Sequence, residues 1–135
     1  MIRILFVLSL VFIFACENKP SSRDIERELE ARYRFFGDVE DVRILNMVRL
    51  DENTYFAQVK YGVRFKKSID ELEKEISEKL RRADVYRNLS LFVNIVALNE
   101  LVSKCGRLYI ERGRVCYITE SIKIVNIRGS WVIQR

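Results

Sequence analysis

Three cysteines are the most reactive side chains in this 135-residue chain, at positions 16, 105 and 116. There is no histidine. That removes the His-activated nucleophiles, the common zinc ligand sets and the usual proton shuttle at neutral pH. Cys105 and Cys116 have no nearby His or further Cys, so neither a soft-metal site nor a cofactor is expected. Carboxylates cluster at Asp38, Glu40 and Asp41, and again at Asp70, Glu71 and Glu73. The first cluster precedes a strand and the second opens a helix, where acids serve as solvated charge. The five glycines do not cluster, which leaves no phosphate-cradling loop. No catalytic residue is assigned.

The residues before Cys16 give it a chemistry of its own. Arg3 is followed by the uncharged run Ile4–Ala15, in which only Ser9 is polar, and polarity returns at Glu17-Asn18-Lys19-Pro20. A charged start, a short apolar run and a small residue before the cut describe a secretory signal. Twelve such residues cover about 20 Å as a helix, well short of a hydrocarbon core of roughly 30 Å. Ile13-Phe14-Ala15-Cys16 resembles the signal-peptidase-II site of bacterial lipoproteins, with Ile13 for the usual Leu and Phe14 departing from the usual small residue. The resemblance implies removal of residues 1–15 and acylation of Cys16 by a diacylglycerol thioether and an N-acyl chain. Several chains together anchor where one holds only marginally. The implied location is the bacterial cell envelope. Glu17 is not the Asp that resembles an inner-membrane retention signal, so inner and outer membrane both stay open.

An exported location permits disulfides. Arg107 to Ile118 reads as a hairpin turning at Arg112-Gly113, which sets Cys116 opposite Tyr109 and Cys105 several residues beyond. Cα atoms more than about 7 Å apart cannot be bridged. A Cys105–Cys116 disulfide therefore needs residues 105–107 to fold back as a loop at a helix end. Otherwise the two are buried thiols, and at this point both readings stand.

Loss of the leader leaves roughly 120 residues, one domain of ordinary size. The loss takes away Arg3 alone among charged side chains, so the net charge falls from +5 to +4. So modest a surplus suits solubility or contact with anionic head groups. No recognition motif for nucleic acid is present.

The elements that must position any site follow in order. Residues 17–22 read as a short tether and residues 23–135 as the domain. Ile25, Leu29, Tyr33 and Phe36 recur at helical spacing, with Ser21 or Ser22 as cap and Gly37 as the stop. Val42, Ile44, Val48 and Leu50 predict one strand, its even positions inward. Tyr55, Ala57, Val59, Tyr61, Val63 and Phe65 predict a second with its odd face buried. Ser68-Ile69-Asp70-Glu71 is a capping box opening a helix whose apolar face runs Ile69, Leu72, Ile76 and Leu80. Residues 85–104 predict an apolar helix, buried on most sides or with a second face meeting a partner or the membrane. Gly106 ends it. Leu108-Tyr109-Ile110, Val115–Ile127 and Trp131-Val132-Ile133 read as strands, with a turn at Arg128-Gly129-Ser130.

Strands and helices in separate runs predict an α+β fold: an N-terminal helix, a bent antiparallel sheet, and a two-helix insertion after the second strand. The long Tyr55–Phe65 strand and the closing Gly129-Ser130-Trp131-Val132-Ile133 resemble cystatin-like and nuclear-transport-factor-2-like domains, which implies a sheet wrapped about a helix. Tyr55, Tyr61 and Trp131 could line a cup for an apolar or aromatic ligand or fill the core. Arg64, Lys66 and Lys67 with Arg81 and Arg82 would form a basic surface toward lipid or an acidic partner, or stay solvated singly. The expected function is a membrane-anchored envelope module that binds, most simply another protein. The alternative is a small-ligand cup or a weak hydrolase on the same fold.

Overall fold

The structure, a computed structural model, describes residues 18–82 and 89–134. The leader, Cys16 and the expected first residues of the 85–104 helix lie outside the described residues. The elements are α1 (Ser22–Tyr33), β1 (Gly37–Asp51), β2 (Thr54–Phe65), α2 (Ile69–Arg82), α3 (Leu89–Cys105), a short 3-10 turn (Arg107–Tyr109), β3 (Val115–Ile127) and β4 (Ser130–Gln134). The strands form one open antiparallel sheet in the order β1-β2-β3-β4, with α2 and α3 inserted between β2 and β3. The fold is α+β, with the helices and the inner sheet face sharing one core.

Helix α1 starts at a reciprocal cap: the Asp24 N–H donates to Ser21 Oγ, and the Ser21 N–H donates back to Asp24 Oδ2 at 2.8 Å. Its stripe Ile25, Leu29 and Tyr33 is fully buried, and Phe36 follows it into the core. Gly37 does not stop the helix. It opens β1, where a Cβ would lie 2.0 Å from the Arg64 carbonyl oxygen, so the close approach of two strands is what requires glycine there. Nor do residues 17–22 all act as a tether. Pro20 is buried, and Asn18 Oδ1 accepts from Trp131 Nε1 at 3.4 Å.

Strand β2 is the spine of the sheet, and its odd residues are buried as its alternation predicts. Its neighbour β1 departs from its own alternation. The pairing Glu40↔Gly62 is followed by Arg43↔Lys60, Ile44↔Val59 by Asn46↔Gln58, and Arg49↔Tyr55 by Asp51↔Thr54, so β1 carries an extra residue at three places. Asp41 takes a positive φ of 53° at the first. Each bulge reverses which face the following residues occupy. Val42 and Ile44 therefore pack inward, but beyond the second bulge Met47 takes the inward place while Val48 and Leu50 stand exposed.

Helix α2 buries Ile69, Leu72 and Ile76, and its Leu80 is exposed, so the expected apolar face ends one turn early. Ser68 Oγ accepts from the Glu71 N–H at 3.2 Å. The Glu71 carboxylate pairs instead with Arg112 on the loop before β3. The 107–118 hairpin does not form. Arg107–Tyr109 is a 3-10 turn rather than a strand, with Leu108 and Tyr109 exposed, and only Ile110 is buried. Gly106, at φ 85°, turns the chain at the end of α3. That fold-back brings the Cys105 and Cys116 Cα atoms to 5.9 Å, and the two are joined as a disulfide between the end of α3 and the start of β3. Arg128 and Gly129, both at positive φ, then make the two-residue hairpin turn into β4.

Candidate functional site

Strand β3 places Ile118, Ile122 and Ile124 inward, and the same alternation carries Glu120 to the inner face. An ionised carboxylate there requires partners. Tyr61 Oη donates to Glu120 Oε1 at 3.1 Å, and Lys104 from α3 pairs with Oε2. Tyr61 has one proton and gives it to Glu120, so Tyr33 Oη, 3.0 Å away, is the donor in the Tyr33–Tyr61 bond. Burial, then the neighbouring Tyr33 and Glu120, push the Tyr61 phenol far up. Burial also raises that of Tyr33. Both phenols stay protonated at neutral pH and serve as hydrogen-bond donors inside the core.

An open groove also borders α1. Helices α1 and α3 leave between them a groove of about 600 Å³. Phe92, Val93, Val96 and Ala97 of α3, Ala31 of α1 and Ile133 of β4 give it apolar walls. Glu28, Arg32 and Glu100 supply its polar border. Arg32 pairs with Glu100 and is only 15% exposed, and its Nη1 is buried with no hydrogen-bond partner among the described residues. Its guanidinium carbon also stands 5.3 Å from the centre of the Tyr33 ring. Above this border, α3 has two different apolar faces. Leu91, Leu98 and Leu101 are buried, while Leu89, Phe92 (65% exposed), Val93 and Val96 face outward.

A second apolar surface occupies the outer face of the sheet. Val48 and Phe56 are paired across β1 and β2 and are 52% and 44% exposed, with Leu45 and Leu50 also exposed along β1.

The residues expected to act do not assemble into one site. Tyr55, Tyr61 and Trp131 are core: Tyr55 and Trp131 meet edge to face at 5.4 Å, and Tyr61 belongs to the buried chain above. They line no cup. The expected basic surface is divided and largely neutralised. Arg64 pairs with Glu40, Lys66 with Asp38 and Lys67 with Glu75. Arg81 and Arg82 are exposed at the far end of α2, about 20 Å along its axis. Among the described residues no group of three or more acids, cysteines or histidines is arranged to hold a metal. Sequence reasoning did not single out Arg32, Glu100 or Glu120. The signal for Glu120 was present, as an acid interrupting the inward Ile118/Ile122/Ile124 series; Arg32 and Glu100 carry no such mark, because the groove depends on how two distant helices are spaced. Compared with protein-family models, curated proteins and solved structures, the chain matches none.

Proposed function

We propose that this protein is a lipid-anchored module of the bacterial cell envelope that works by binding, with a protein as its partner, rather than by catalysis. The observation that carries this reading is the contrast between a buried hydrophobic core and the apolar side chains that stand exposed on the outer sheet face. Recognition then belongs to the surface. The leader and Cys16 supply the anchoring half of the reading from sequence alone.

Two measurements test it. Cys16→Ala should move the protein from the membrane to the soluble fraction, and unchanged partition of that variant removes the anchor. Photo-crosslinking in intact cells from position 56, on the outer sheet face, should trap a protein; a bare position 56 removes the partner from that face. A second reading has one observation in its favour. The α1–α3 groove falls within the size range of small-ligand sites. A small apolar molecule co-purifying in stoichiometric amount would support it.

A further inference from the structure

We propose that the α1–α3 groove and the exposed face of α3 lie against the lipid bilayer, so that lipid rather than protein covers them. This rests on the reading of Cys16 as the acylated residue. The chain leaves the folded body close to this face. Asn18 is held at Trp131 of β4, and Cys16 stands two residues earlier, within about 7 Å at full extension. Ile133, which lines the groove, is two residues beyond Trp131 on the same strand, again about 7 Å away. With the reach of the two bonded side chains added, the anchoring sulfur is kept within roughly 30 Å of the groove at full extension, no more than the thickness of the hydrocarbon core. Such a tether makes contact between this face and lipid effectively intramolecular, whereas a soluble partner would have to compete from bulk concentration.

From residue 88 to residue 99 the chain has no charged side chain. Leu89, Phe92, Val93 and Val96 are exposed on one side of that stretch. An exposed apolar patch of this kind marks a surface that contacts a membrane or a partner, and the nearby anchor supplies the membrane. The groove's border holds two acids and one base, Glu28, Glu100 and Arg32, so contact is driven by apolar burial and needs no anionic lipid. The helices cover the inner sheet face, so the outer face with Val48 and Phe56 is left toward the aqueous compartment. The molecule thus has a lipid side and a partner side.

The test uses the acylated full-length product, reconstituted in phosphatidylcholine vesicles with or without bromine on the acyl chains. Phe92→Trp and Val48→Trp place a reporter on each side, and the wild type supplies the background of buried Trp131. Both sites are exposed, so neither change should disturb folding. Phe92→Trp fluorescence should shift to the blue and lose most of its intensity in the brominated vesicles, with Val48→Trp unaffected. Equal response at the two positions overturns the proposal, provided that intact mass confirms the acyl chains on the same material. An intact mass without acyl chains overturns the anchor reading instead, and this proposal with it. A photo-crosslinker at position 92 that captures a protein, or a second copy of this chain, in preference to lipid also overturns it.

Discussion

Tyr61 has one proton and two neighbours within reach of its oxygen, and the interior is arranged around how that proton is spent. Given to Glu120, it adds to the Lys104 contact on that carboxylate, and it leaves the Tyr61 oxygen free to accept from Tyr33. Tyr61→Phe removes both bonds, taking one hydrogen-bond partner each from Tyr33 and Glu120. A loss of about 1–3 kcal/mol is expected in urea unfolding. Gly37→Ala should cost a similar roughly 1–3 kcal/mol by overpacking, because its new methyl would meet the Arg64 carbonyl, which is backbone and cannot swing aside. Surface charge acts differently. The Arg107 hydrogen bond holds the Glu73 carboxyl below its ordinary range. A carboxyl whose folded pKa is depressed stabilises the fold above its unfolded pKa, and that contribution is lost as pH falls through the folded value. Wild type should therefore melt slightly higher than Glu73→Gln at neutral pH, and the gap should close in acid. A gap that persists there would mean the pair does not act through its charge.

Among the elements, α3 shows most clearly how one helix divides its work. Phe92→Asp should leave unfolding within about 0.5 kcal/mol of wild type, as exposed positions do. Leu101→Asp puts a charge into the core and should prevent stable folding, a difference that circular dichroism would register at once. The disulfide fastens the end of this helix to β3 across a loop of eleven positions. Cys116→Ser should lose about 2–4 kcal/mol, chiefly by freeing the unfolded chain. How readable these elements were depended on whether each obeyed a single period. The unbroken alternation of β2 and the Ile25/Leu29/Tyr33/Phe36 stripe predicted their buried faces residue by residue. Strand β1 has no such period, because its bulges are set by pairing with β2, and Val48 and Leu50 came out on the opposite face. The segment 107–110 looked like a strand by composition but turns tightly after Gly106, which is why the hairpin register misjudged the reach from Cys105 to Cys116. The groove was not legible at all: its residues come from α1, α3 and β4, and only the packed chain sets the gap between them.

For the whole molecule, the feature with the widest reach is the contact between Asn18 and Trp131, 113 residues apart in sequence. Helix α1 also packs against β4, which is made after the other three strands of the sheet. During synthesis the face of α1 bearing Ile25, Leu29 and Tyr33 emerges long before its final neighbour exists. Contacts that close so large a loop form late and leave apolar surface uncovered in the meantime. A chain halted before Ser130 should consequently remain a client of holding chaperones, and adding the closing hairpin should set it free.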